Sequence, residues 1–170
     1  MRCLILVTLL AGCGPSPAPN GPVPDLAPAP TGQMSVLMLT DGQDATLVEG
    51  AQGGFHVWMQ YAVRGLPAGS VTLERSAHRV SDGAVVLVYR GDVDLGAPAP
   101  DDPDGWWTAP QPIPMFMCPS PIGISVVDVP IEFTLRLLGA GDAELARAAI
   151  TLVPRCPDAQ RDFCTRICTG

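Results

Sequence analysis

The sequence predicts an all-β domain over residues 34–154, and three observations carry that prediction. Phe55 to Arg64 alternates strictly: Phe55, Val57, Met59, Tyr61 and Val63 make an apolar face, while His56, Trp58, Gln60, Ala62 and Arg64 make a mixed one. That is the period of a half-buried strand. Short apolar runs recur through the rest of the region, separated by turn residues such as Asp41-Gly42, Gly53-Gly54 and Ser81-Asp82-Gly83, a spacing typical of sandwiches and barrels. Hydrophobic residues make up 47% of the 170-residue chain and charged ones 16%, which suits one folded core and is too little charge for a disordered chain.

Two segments precede that domain. Residues 1–12 start with Arg2, continue through the apolar run Leu4 to Leu10 and close on Ala11-Gly12, directly before Cys13. Charge, apolar stretch and small residues in that order make an export signal. Leu10-Ala11-Gly12-Cys13 resembles the lipobox of bacterial lipoproteins. The resemblance implies removal of residues 1–12, transfer of a diacylglyceryl group to Cys13 and further acylation with fatty acids such as palmitate. It places the chain in the cell envelope, held at the membrane by its lipid, because two or more acyl chains anchor stably where one does not. Gly14, in place of a retaining aspartate, implies the outer membrane, on its periplasmic face or at the cell surface. Residues 13–33 form a linker, and Gly14 to Gln33 hold seven prolines and one charge. This composition predicts no fold of its own, a bias to extended polyproline II, and a reach of about 60 Å at roughly 3.1 Å per residue.

Within the domain, Ser35 to Thr40 reads as a strand ended by Asp41-Gly42, and Ala45 to Glu49 as a second ended by Gly50. After Phe55 to Arg64, the turn Gly65-Leu66-Pro67-Ala68-Gly69 leads into Val71 to Arg79. Ser81-Asp82-Gly83 then leads into Ala84 to Tyr89, whose unbroken apolar run predicts a buried strand. Pro130 to Leu138, the turn Gly139-Ala140-Gly141-Asp142 and Ala143 to Val153 predict a hairpin, with Ile131, Phe133, Leu135 and Leu137 facing inward. The β-branched ending of its second arm favours strand over helix. Together these elements resemble an immunoglobulin-like or fibronectin-type β-sandwich. The Cys-Trp-Cys spacing of true immunoglobulin domains is absent, and no motif fixes a family.

Gly91 to Ile124 is the least regular region. It holds Asp92, Asp94, Asp101, Asp102 and Asp104, then Trp106-Trp107, then five prolines. Loops of this length are functional or merely tolerated. Calcium takes six to eight oxygens, and Asp102-Pro103-Asp104-Gly105 is only a fragment of a calcium loop. Trp106 and Trp107 are candidates for a platform that binds a glycan or a protein. Met115-Phe116-Met117-Cys118 gathers ligands that copper favours. No histidine follows Cys118, however, and the chain has only His56 and His78. Met115, Phe116 and Met117 are therefore expected in a strand and in the core. His56, beside Trp58 and Gln60 on the mixed face, is the first candidate binding residue, and His78 is expected on a surface strand.

Setting aside Cys3 and Cys13, the cysteines are Cys118, Cys156, Cys164 and Cys168, three of them in a C-terminal tail over residues 155–170. An even set in an exported chain predicts two disulfides, in any of three connectivities. If Pro157 to Cys168 is helical, Cys164 and Cys168 stand at i and i+4, which seldom reach disulfide geometry. One of them is expected to pair with Cys156 and the other with Cys118.

The chain has no GxSxG elbow, HExxH pair or glycine-rich phosphate loop, so no enzyme activity and no cofactor are expected. After removal of residues 1–12 it has nine arginines, no lysine and seventeen carboxylates, a formal −8. That charge argues against nucleic acid and against head-group binding through a basic patch. The expectation is a non-catalytic envelope lipoprotein whose sandwich binds an envelope protein or glycan, or has a scaffolding role. The alternative is a periplasmic domain that holds calcium or copper through the acidic loop or its His, Met and Cys residues.

Overall fold

The computed structural model describes residues 32–170. The expected signal, Cys13 and nearly all of the linker lie outside the described residues. The strands are β1 (Gln33–Leu37), β2 (Asp44–Thr46), β3 (Val48–Glu49), β4 (Phe55–Arg64), β5 (Gly69–Arg79), β6 (Val85–Leu95), β7 (Trp107–Thr108), β8 (Ile113–Cys118), β9 (Ile131–Leu138) and β10 (Glu144–Arg155), followed by helix α1 (Arg161–Cys168).

They form the sandwich that the sequence predicts. In one sheet β4 is central, with β1 and β3 along one side and β7 and β8 along the other. The second sheet runs β2-β10-β9-β5-β6 and is antiparallel except for the β2–β10 pair. Phe55, Val57, Met59, Tyr61 and Val63 of β4 are all buried, as are Ile131, Phe133, Leu135 and Leu137 of β9. Alternation thus puts one side of each strand into a shared core, where each fully buried large apolar side chain contributes roughly 1.5–3 kcal/mol.

Five details differ from the sequence reading. The first strand stops at Leu37, because Met38 takes a positive φ of 61°. The single strand expected over Ala45 to Glu49 is two: β2 joins β10 and β3 joins β4, and the fully buried Leu47 marks the crossing between sheets. The apolar run Ala84 to Tyr89 is not a buried strand. It begins the edge strand β6, where Val85, Val88 and Tyr89 are exposed. β6 also continues to Leu95, so Asp92 and Asp94 belong to a strand rather than to the irregular region. An apolar run fixes neither which strand lies at an edge nor where alternation resumes beyond it. Finally, β8 buries Met115 and Met117 as expected but turns Phe116 outward, 43% exposed.

The outer face of the second sheet is covered by ion pairs. The buried Glu74 carboxylate accepts from Arg90 Nε at 2.6 Å and Arg136 Nη1 at 2.7 Å, and Arg136 also reaches Glu144 at 2.6 Å. Burial alone would raise the pKa of Glu74, but the two arginine hydrogen bonds and their charges outweigh it and hold the carboxyl below its ordinary range. A carboxylate with a depressed folded pKa adds stability above its unfolded pKa and loses it as pH falls through the folded one. Glu74→Gln is therefore expected to destabilise by about 1–3 kcal/mol at neutral pH. Thermal melts between neutral and strongly acidic pH should show the gap from the native chain closing as the solution acidifies.

Beyond β10, a 3-10 turn over Asp158–Gln160 leads into α1. The disulfides are Cys156–Cys164 and Cys118–Cys168, so each cysteine of α1 pairs away from the other, although their sulfurs stand 3.9 Å apart. Phe163 meets Phe55 with ring centres 5.8 Å apart. Ser120 N–H donates to the Ile167 carbonyl and Val126 N–H to that of Cys168. The tail thus closes the end of the sandwich where β4 begins and β8 ends.

Candidate binding face

Where β4 and β8 pair, the side chains at alternate positions point away from the core. His56 lies opposite Phe116 and Trp58 opposite Pro114. Trp58 and Phe116 are each 43% exposed, and Tyr89 of β6 is 46% exposed. The rings form a continuous strip: Trp58 to His56 at 6.3 Å, His56 to Phe116 at 4.8 Å and Phe116 to Tyr89 at 6.4 Å, the first two edge-on. Aromatic pairs favour such offset and edge-on arrangements over face-to-face stacking.

The loop between β3 and β4 shapes one wall. Gly50 N–H donates to the Gly54 carbonyl at 2.7 Å, and Gly53 turns the chain with φ 77°. Gly50 is required by close approach, since a Cβ there would fall 2.1 Å from His56 Nε2. The resulting groove measures about 730 Å³ and is lined mainly by Glu49, Gln52, His56, Trp58, Pro114 and Phe116, within the size range of ligand sites. Burial lowers the pKa of His56, partly opposed by the Phe55 backbone, which favours the neutral imidazole. Its Nδ1 is buried without a partner. Glu49, the one charged group lining the groove, already accepts a hydrogen bond from Gln160 Nε2.

Arg75 braces the strip from beneath. It is 8% exposed, its Nη1 donates to the Pro114 carbonyl at 2.7 Å, and its guanidinium lies 4.2 Å from the Tyr89 ring centre and 5.7 Å from that of Phe116. A cation over aromatic faces is stabilised by their quadrupoles. The chemistry on offer at this face is stacking and apolar burial against rings that are held in place.

Of the candidates read from the sequence, His56 sits at the centre of this face. Trp106 and Trp107 do not join it. β7 pairs with the opposite end of β4, at Ala62 and Val63. Trp107 is half-buried with its ring centre 6.2 Å from that of Tyr61, and its Nε1 lies where a Cβ on Gly96 would fall. The Arg64 guanidinium lies 4.8 Å from the Trp106 ring centre. In the acidic region Asp102 accepts from the Asp104 N–H at 2.8 Å to close a turn, and Asp92 accepts from Thr72 Oγ1 at 3.1 Å. Among the described residues no group of three or more His, Cys, Asp and Glu side chains is gathered for a metal. His78, half-buried on β5, lies opposite Glu132 of the neighbouring strand β9, both in the second sheet and away from this face.

Sequence reasoning missed Phe116, Pro114 and Tyr89 as parts of one surface. One signal was present: in Met115-Phe116-Met117 the middle residue of an alternating strand must face opposite to its neighbours.

No protein-family model matches the chain, and no curated protein matches it. A solved structure described as "putative beta-galactosidase from Bacteroides fragilis" is similar over 74% of this chain, at 14% identity and a TM-score of 0.38. This chain spans 16% of that one.

Proposed function

We propose that this chain is a non-catalytic, lipid-anchored protein of the bacterial cell envelope, sited at the outer membrane, whose sandwich offers the Trp58–His56–Phe116–Tyr89 face to an envelope protein or glycan. The observation that carries the reading is the strip itself: three rings each more than 40% exposed, in line from the central strand β4 over β8 to the edge strand β6 of the other sheet, and braced by a buried arginine. Solvent-exposed apolar patches of this kind mark interaction surfaces. The Leu10-Ala11-Gly12-Cys13 motif and the two disulfides support the exported, anchored part of the reading. The acidic, lysine-free composition supports a partner other than nucleic acid.

Two measurements test it. Mass spectrometry of the protein from membranes should find a diacylglyceryl group on an N-terminal Cys13, and an unmodified N-terminus would remove the anchor from the reading. A photo-crosslinking amino acid at position 58 should give a discrete adduct in intact cells. The same group at the exposed Arg147, on the outer face of the second sheet, should give none. Equal labelling at both positions would overturn the binding face.

A further inference from the structure

We propose that β6 is a self-pairing edge, through which two copies of this chain join antiparallel about a two-fold axis at Gly91. This edge touches the ring strip only at Tyr89, and the pairing does not depend on the binding-face reading above.

The edge is open. β6 closes the order β2-β10-β9-β5-β6, and among the described residues its one backbone partner is β5. None of the turn and loop hydrogen bonds among them reaches Val85–Leu95, so the outer rim of the strand presents a row of backbone groups to a further strand. Edge strands are commonly blunted by proline, lysine, inward-facing charge or a bulge. β6 runs for 11 residues without proline or lysine, and its inward-facing Leu87, Tyr89, Gly91, Val93 and Leu95 carry no charge. Its register shift against β5 lies between Leu87 and Val85, at one end. Val88 and Tyr89 stand exposed on it.

Charge selects both the occupant and the register. Arg90 bonds Glu74 and Asp92 bonds Thr72 on the outer face of the sheet, whereas Tyr89 meets Arg75, and Gly91 lies opposite the buried Leu73, on the inner one. Residues opposite each other in an antiparallel pair share a face. The axis therefore passes through a residue, not between two. With the axis at Gly91, Arg90 of each copy faces Asp92 of the other, once on each side of the two-fold. On the inner face Tyr89 meets Val93 and Leu87 meets Leu95, so the overlap runs from Leu87 to Leu95 and stays clear of the register shift. An axis at Arg90 would set two guanidiniums opposite each other, one at Asp92 two carboxylates, and one at Val93 would set Asp92 against Asp94. An axis at Tyr89 would set Arg90 against Val88. Arg90 Nη2 and Asp92 Oδ2 have no partner among the described residues, and are left for the second copy. At the axis itself Gly91 has no side chain to hold two backbones apart. Strands of other proteins add to open edges too, but a second copy brings the matching charge order by symmetry.

The test uses residues 13–170 with Cys13→Ala, so that the chain stays in solution. Sedimentation equilibrium over about 10 µM to 1 mM should show a reversible monomer–dimer association, the range suited to a small interface. Asp92→Arg, which sets arginine opposite arginine, should weaken it by about tenfold or more. Asp92 is exposed and its side chain bonds Thr72 alone, so an unchanged Tm is expected and confirms that the variant folds. Asp94→Arg should weaken the association less, because Asp94 faces Val88 in this register. Benzoylphenylalanine in place of Tyr89 should give, on irradiation, an adduct of dimer mass joined within Gly91–Leu95 of the second copy. Trp58→Ala should leave the association as it is. A chain that stays monomeric at the top of the concentration range would overturn the proposal. So would equal association of the native chain and Asp92→Arg, or a dimer lost in Trp58→Ala and kept in Asp92→Arg, which would assign the contact to the ring strip. The binding-face reading fails separately, through crosslinking at position 58.

Discussion

Replacing Cys118 and Cys168 together with serine should lower stability by about 4 kcal/mol, or a fall in Tm of roughly 10–15 °C for a domain of this size. The bond closes a sequence separation of 50 residues, and in the loop-entropy account a longer loop restrains the unfolded chain more. Replacing Cys156 and Cys164, separated by 8 residues, should cost about 2.5 kcal/mol on the same account. Calorimetry of the two double variants side by side checks the order. Equal losses would mean that native packing around the tail, rather than restraint of the unfolded chain, sets the stabilisation. The longer bond also ends β8, so its loss should loosen the Cys118 side of the groove without unfolding β4.

Phe55→Ala should destabilise by about 3–5 kcal/mol, the range for removing a fully buried aromatic ring. Phe55 is 0% exposed, begins β4 and meets Phe163 of α1. The cavity would therefore open where the sheet, the tail and the disulfides converge. A double-mutant cycle with Phe163→Ala, followed by urea unfolding, should give a coupling energy of about 0.5–1.5 kcal/mol for the ring pair. Strict additivity would show that the ring pair adds nothing to the hold that the disulfides and the backbone hydrogen bonds to Ile167 and Cys168 have on α1.

The strongest strand was legible to the residue. Phe55 to Arg64 begins and ends in the structure as its alternation says, and the late hairpin follows for the same reason. Both strands of that hairpin, like β4, have one face in the core, where period-2 patterning has most force. The sheet assignment was less legible. Ala45 to Glu49 looks like one strand, yet Leu47 sends the chain from one sheet to the other, and nothing local in the sequence distinguishes a crossing from a continuation. The edge position of β6 was hidden by its hydrophobicity, because pairing partners distant in sequence decide which strand is last. The same limit explains the binding face. His56 was identifiable from its own strand, while Phe116 and Tyr89 come from two other strands and meet it only through the pairing of β8 with β4 and the approach of β6 to β8.

β1 joins the domain beside Arg64, and the ring strip lies toward the Phe55 end of the same strand. For a protein anchored through Cys13, as proposed above, that polarity decides which pole of the domain meets the tether. In the proposed anchored state the tether would reach the domain at the Arg64 pole, and the rings would stand toward the opposite pole. A partner held on the rings would then bind at the pole of the domain away from the tether.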